Sequence, residues 1–345
     1  MDYKNDLVET STYLNTAYTG LTSDALQKWR TKTDQEFTSH ADHFKSVQAK
    51  ILETNTCKQM ATFLDAKVSE TFLTTSCSAG LQSFLFKIPK AFKFLLLEDD
   101  YPVIKQIVAE HQFEYAEISL RFEVELSVLK ALREGRFQVF AFSAVQYNSG
   151  LLFDMNFLKL IKKEFPNLIV LVDGTQLIGA EFFSFNQTAV DGIFGSGYKW
   201  LLAGHGNGFM CIKESLMNQL GTSQDEIFDL LDRGHKSPLA VGSLGFAVEQ
   251  LLSNDFEVLL KKKKESSDLL FLGLRERGLL EDFVAIRKYH SSIFTIKANS
   301  KVFEKLIKEN IRCIQRGIGV RVSVHFYNTQ KDIQKFFRVM DQITK

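Results

Sequence analysis

Between residues 69 and 174 the chain switches repeatedly between two textures, and no other property narrows its fold so far. Short runs that are largely apolar ("SETFLTTS", "KFLLLE", "FEYAEISL", "FQVFAFSAV" and "LIVLVDG") are separated by stretches with helical periodicity. The helical stretches are "AGLQSFLFKI", "YPVIKQIVAEH", "FEVELSVLKALREG" and "DMNFLKLIKKEF". A strand that is apolar on both faces must be covered on both faces, and a helix between successive strands lets them run parallel. The pattern predicts an α/β fold, a mostly parallel sheet covered by helices.

The flanks read differently. Upstream, residues 21–53 are expected to form one helix, with Thr22 or Ser23 as its N-cap and "TNT" as its end. Past Lys236 come a long helical stretch from Leu239 to Gly278, a strand over "SSIFTIKA" and a helix over "VFEKLIKEN". The paired runs "RCIQR" and "GVRVSVHF" follow, with a last helix over "QKDIQKFFRVM". The expected division is an N-terminal segment, 1–20, packing on the small domain, a large α/β domain, 21–236, and a small α+β domain, 237–345.

With 45% hydrophobic residues and only four prolines, the 345-residue chain can bury a large core. Its 42 basic and 41 acidic residues leave a net charge of +1, so no overall field steers it to nucleic acid or an anionic membrane. The N-terminus has no apolar stretch behind a basic start, and no window reaches the apolar length a bilayer requires. Cys57, Cys77, Cys211 and Cys313 are scattered without C-x-x-C spacing, which signals neither a zinc site nor a disulfide framework. The expectation is a cytoplasmic protein whose partners are small molecules or a second copy of itself.

In a parallel sheet, ligands gather at the carboxyl ends of the strands. Asp173 ends an apolar strand in "LIVLVDGTQ", with Gln176 just beyond, and Lys199 follows another in "VDGIFGSGYKW". Taken singly, these are also a turn-initiating aspartate and a snorkelling lysine. Together they match the needs of pyridoxal 5'-phosphate (PLP), a buried amine to capture its aldehyde and a carboxylate to keep its ring nitrogen protonated. A phosphate cradle is available in "TTSCSAGLQSFLF", where Ser76, Ser78 and Gly80 open a helix, although an ordinary N-cap would look the same. A nicotinamide site would need G-x-G-x-x-G directly after the first strand, and the glycines of "GSGYKWLLAGHGNG" come late and lack that spacing.

The order of "TSCSAG", "EDDYP", "SAVQYNSG", "VDGTQ", "GSGYKWLLAGHGNG", "RGHKSP" and "GVRVSVHFYNT" resembles the class V aminotransferase group of fold-type I PLP enzymes. That group includes cysteine desulfurases, kynureninases, isopenicillin N epimerase-like proteins and several transaminases. The resemblance implies that Lys199 forms the Schiff base with PLP and that Asp173 pairs with the pyridine nitrogen. It implies that Gln176 bonds the ring's phenolic oxygen, and that Cys77, Ser78 and Ala79, assisted by Ser196, hold the phosphate. Tyr101 would stack on the cofactor, Arg321 would grip a substrate carboxylate, and His235 would reach the phosphate of a partner subunit in a homodimer. Tyr147 stands where many members keep an asparagine, with Asn148 as a substitute. Read without the resemblance, Tyr101 is an ordinary aromatic and Arg321 a sheet-face cation.

Departures from the group shape the expected chemistry. Desulfurases carry a histidine at the Tyr101 position and another at the Tyr198 position, and a cysteine on a loop before the carboxylate-binding arginine. Here "CIQRGIGVRVS" leaves no room for that loop, and Cys313 is expected inside a strand. The resemblance therefore implies an aminotransferase, with a lyase, epimerase or desulfurase-like enzyme of the same family as the alternative. A protein that binds PLP without turnover is the second alternative, although it would have no use for a carboxylate clamp.

Overall fold

The computed structural model describes residues 3–232 and 234–343. Arg233 of "RGHKSP" and residues 1–2 and 344–345 of the expected end segments lie outside the described residues. After a short strand β1 (Thr12–Tyr13), the apolar runs become β2 (Thr71–Thr74), β3 (Phe94–Leu97), β4 (Tyr115–Ile118) and β5 (Val139–Ser143). They continue as β6 (Ile169–Asp173), β7 (Gly192–Ser196) and β8 (Gly208–Ile212). These form a seven-stranded sheet in the order β2-β8-β7-β6-β5-β3-β4. Strands β3 to β7 run parallel, and β8 runs antiparallel to both β2 and β7.

Burial on both faces explains the continuous apolar runs. On β5, Phe140 and Phe142 enter one core cluster while Val139 and Ala141 enter the other. On β6, Val170 and Val172 divide from Ile169 and Leu171 in the same way. Successive side chains point to opposite faces, so a strand between two cores has no position for a polar residue until it emerges at its end. Asp173 is where β6 emerges.

Two helix boundaries differ from expectation. The expected helix begins as Asp24–Ser39, capped by Ser23, whose Oγ accepts from Leu26 N at 3.2 Å, breaks at His40, and then runs on from Ala41 through a π-helical stretch, Phe44–Gln48, into Ala49–Leu64. "TNT" therefore lies inside a helix. Thr56 is buried there, its Oγ1 donating to the Val241 carbonyl at 3.2 Å, and tertiary packing overrides its weak helix propensity. The stretch from Leu239 to Gly278 is two helices, Pro238–Ser253 and Phe256–Glu276. Asp255 separates them in a left-handed conformation (φ 54°) and caps the second by accepting from Val258 N at 3.3 Å.

The C-terminal strands are β9 (Ile293–Lys297), β10 (Ile311–Arg312), β11 (Ile314–Arg316) and β12 (Gly319–Ser323). Strands β11, β12 and β9 make an antiparallel sheet in that order, and β10 instead pairs in parallel with β1. Cys313 is the residue between β10 and β11 rather than part of a strand, and it is buried in the core beneath this sheet. Past β1, Asn15 bridges Ser323, the Ala17 carbonyl accepts from Gln176 Nε2 at 3.0 Å, and Gly20 N donates to the Tyr198 carbonyl at 2.8 Å. A side chain at Gly20 would place its Cβ 1.9 Å from the Lys199 carbonyl oxygen, so only glycine lets the two backbones meet.

Candidate active site

The parallel register sets the polar ends of three strands side by side. Ser143 of β5 lies opposite Asp173 of β6, Asp173 lies opposite Phe194 of β7, and Ser196 ends β7 two residues later. These ends line a narrow cleft with Cys77, Ser78, Tyr101, Tyr147, Gln176 and Lys199. Asp173 Oδ1 accepts from Thr175 N at 2.8 Å, which fixes the carboxylate at the strand end.

One wall is the N-terminus of the helix Cys77–Phe84. Its cap, Ser76, accepts from Ala79 N at 3.1 Å, and the Ser196 hydroxyl accepts from Cys77 N at 2.9 Å. The second bond ties this helix to β7. The N-terminal N–H groups of a helix and their dipole favour an anion, and Ser78, in the second helical position, brings its hydroxyl to the cleft.

Lys199 approaches from the turn after β7. Its Nζ lies 5.4 Å from the centre of the Tyr198 ring, and Tyr198 stacks on His205 with centres 4.6 Å apart. Burial lowers the Lys199 pKa from 10.5 to about 8, against the opposite pull of the Asp173 charge. The Tyr198 phenol is pushed up to about 12, chiefly by burial. The next residue, Trp200, is fully buried and donates Nε1–H to Gln176 Oε1 at 2.7 Å. With Ala17 holding the other end of its amide, Gln176 keeps one N–H and one lone pair for a ligand.

Opposite the lysine, Tyr101 opens the helix Pro102–Glu110, and its ring meets Tyr147 edge to face at 5.6 Å. Asp100 anchors that corner by accepting from Ser143 N at 2.7 Å and from Tyr101 N, and burial pushes its carboxyl up to about 6. Arg321 of β12 is buried, and its Nη1 donates to the Tyr147 carbonyl at 2.6 Å. Burial lowers its pKa to about 10, assisted by the neighbouring charge of Arg316.

Four of the expected residues are not among those lining the cleft: Arg321, which reaches its border through the Tyr147 carbonyl, and Asn148, Ala79 and His235. Asn148 does not line the cleft and its backbone carbonyl accepts from Thr295 Oγ1, so Tyr147 is the residue of the pair that lines the site. Ala79 uses its N–H on the Ser76 cap and faces a separate cavity on the far side of the helix, together with Gln82 and Phe86. His235 is exposed on that second cavity, not on the cleft of its own chain.

The sequence pattern described as Aminotransferase class-V matches residues 21–336. The chain belongs to the class V aminotransferase family. Among curated proteins none matches. Solved structures resemble this member of the family along its whole length at low identity. The cystine C–S lyase C-DES, in complex with its product cysteine persulfide, has a TM-score of 0.84 at 15% identity and covers 98% of this chain and 99% of its own. A cysteine desulfurase from Thermococcus onnurineus NA1 has a TM-score of 0.82 at 17% identity, covering 99% and 98%. A ureidoglycine–glyoxylate aminotransferase from Bacillus subtilis has 0.74 at 12%, covering 97% and 94%. In one C-DES variant, glycine is covalently linked to the PLP cofactor. These likenesses establish the fold, the mostly parallel sheet of fold type I.

The residues present fit the cofactor that family membership implies. The cleft holds an amine, a carboxylate, an aromatic ring and a helix N-terminus, and the buried hydroxyls of Ser143 and Thr175 have no hydrogen-bond partner of normal geometry. Both hydroxyls stand at the cleft, Ser143 near the Asp100 carboxylate and Thr175 near the Cys77 thiol, where they are free to turn to a ligand. Sequence reasoning missed both hydroxyls. Ser143 carried a usable signal, since it ends the apolar run of β5 as Asp173 ends that of β6, whereas Thr175 depended on the turn geometry.

Proposed function

We propose that the protein is a PLP-dependent enzyme acting on amino acids and that its reaction is transamination. The observation that carries the reading is Lys199, a cleft-lining amine whose pKa burial lowers to about 8, beside Asp173 at the carboxyl ends of β6 and β7. When bound, PLP supplies an aldehyde that captures an amine and a ring that takes up the electrons left on the α-carbon. Ser78, with its hydroxyl and backbone N–H in the first turn of the helix Cys77–Phe84, would hold the phosphate together with the Ser196 hydroxyl, and Asp173 would accept a hydrogen bond from the protonated ring nitrogen. Tyr101 would cover one face of the ring, and the spare N–H of Gln176 and the Tyr147 side chain would orient its oxygen edge. The guanidinium fork of Arg321 grips the substrate's α-carboxylate, which aims the α-carbon at the lysine. Lys199 Nζ, neutral in a usable fraction at neutral pH, is the base that takes the α-proton. In a homodimer His235 would serve the partner's site.

The cysteines support transamination over sulfur abstraction, which needs an accessible thiolate. Cys313 lies in the small-sheet core with its thiol pushed up to about 12 by burial, Cys211 is likewise near 12, and Cys57 near 11. Burial and Asp173 also push Cys77 well up. The test is a screen of amino acids against the PLP-loaded protein, following its visible absorption and the oxo acid formed. Bleaching of the aldehyde form with one oxo acid per site supports transamination. Release of ammonia or sulfide with the aldehyde form regenerated would replace it with a lyase or desulfurase, and a protein that takes up no PLP would end the reading.

A further inference from the structure

The hairpin of β11 and β12 sets a second guanidinium beside Arg321. Ile314 lies opposite Arg321 in the antiparallel ladder, and Arg316 is two residues beyond Ile314 on the same strand. Arg316 and Arg321 are therefore diagonal neighbours on one face of the sheet, about 7–8 Å apart along the backbone and within reach of a common ligand. Gly317, at φ 54°, makes the turn directly after Arg316.

Both arginines converge on Tyr147. While Arg321 bonds its carbonyl, the Arg316 guanidinium lies 5.2 Å from the centre of its ring. Tyr147 lines the Lys199 cleft, so both cations stand at its border. Arg316 is half-buried, and its Nε is fully buried with no hydrogen-bond partner. Among the described residues, the arginines that pair with carboxylates are Arg133, Arg277 and Arg287. The groups around this pair are instead tyrosines, with Tyr198, Tyr147 and Tyr18 acting on Arg321 and Tyr101 sensing Arg316. Beyond burial, both arginine charges also depress Lys199, whose counterweight is Asp173.

A buried and a half-buried cation with no acid between them are costly to hold unless an anion fills the gap. A single fork suffices for one carboxylate, which leaves the second cation for another. We propose that Arg316 receives a distal carboxylate while Arg321 takes the α-carboxylate, so that the substrates are short dicarboxylic amino acids and their oxo acids. Arg316 is then the residue that selects acidic substrates over neutral ones. This assignment rests on the amino-acid enzyme proposed above.

Calorimetric titration of the PLP-supplemented protein with glutarate, succinate and butyrate tests it without turnover. The expected result is that a diacid binds at least about tenfold more tightly than butyrate. Arg316→Gln brings the diacids down to the butyrate level and leaves butyrate unchanged, Arg316→Lys keeps part of the preference, and Arg321→Gln weakens all three. Equal affinities in the wild type would overturn the proposal. So would an equal loss of diacid and butyrate in Arg316→Gln, which would mean that both arginines hold one carboxylate. A diacid preference in a protein that turns over no amino acid supports the two-cation site while removing the aminotransferase.

Discussion

Replacing Lys199 with methionine should make the cofactor-free protein more stable at neutral pH. The fall of its pKa from 10.5 to about 8 corresponds to a cost of about 3 kcal/mol for carrying the charge, at ~1.4 kcal/mol per pKa step. Below about 8 the amine is protonated in folded and unfolded chains alike, and the folded state bears the whole cost. Between about 8 and 10.5 the folded chain releases its proton first, so the wild type gains stability as pH rises, and above 10.5 the cost is gone. Methionine keeps an apolar stem of similar reach without the charge. Lys199→Met should therefore gain up to about 3 kcal/mol at pH 7 and less than about 1 kcal/mol at pH 10. Urea unfolding of the cofactor-free proteins, followed by the fluorescence of the fully buried Trp200, reads the difference at both pH values. A gain of the same size at both would trace it to packing instead of charge. A loss at pH 7 would show that Lys199 is stabilised by a partner and would refute the origin of its reactivity.

Other consequences can be checked singly. Ser196→Ala leaves the Cys77 N–H without its acceptor at the helix N-terminus and should cost about 1–3 kcal/mol in the same urea assay, with weaker PLP retention on dialysis. Gly20→Ala drives a Cβ against the Lys199 carbonyl, and loss of visible cofactor absorption at unchanged helix content is expected. Asp173→Asn should lower turnover on the order of 10²-fold or more while the protein still takes up PLP, measured by steady-state rates. Cys313→Ser should leave turnover unchanged because the thiol is buried in the small-sheet core, and a loss of activity would reopen sulfur chemistry.

What could be read in the sequence follows from how locally each feature is determined. The central strands were legible because a strand packed on both faces must be apolar throughout, and Asp173 was legible because it interrupts such a run. The boundary at "TNT" was not, because Thr56 is kept helical by a carbonyl far along the chain, that of Val241. The break at Asp255 depends on one left-handed residue inside a continuous helical pattern. Lys199, Gln176 and Ser78 were legible at strand ends and a helix start, Tyr101 only through the order of the motifs, and the structure gathers them in one cleft. Asn148 and Tyr147 are adjacent in sequence, and only the folded path of the chain shows that Tyr147 lines the cleft while the Asn148 carbonyl is tied to Thr295 of β9. Arg316 gave no signal at all, since its place beside Arg321 depends on the register of a hairpin.

The strap from Thr12 to Gly20 bears on the order in which the protein can be made. Residues 12–15 pair with residues 311–312 and 323, and Gly20 then lies against the backbone beside Lys199. During synthesis the first of these partners emerges only after some three hundred residues, so the segment must wait while the large sheet assembles without it. Residues 17–20 can meet Gln176 and Tyr198 once the large sheet is made, but the pairing of residues 12–15 is completed only when residues 311–323 are present. The two ends of the chain are thus joined in one unit, the N-terminal strap lying between the small C-terminal strands and the lysine turn.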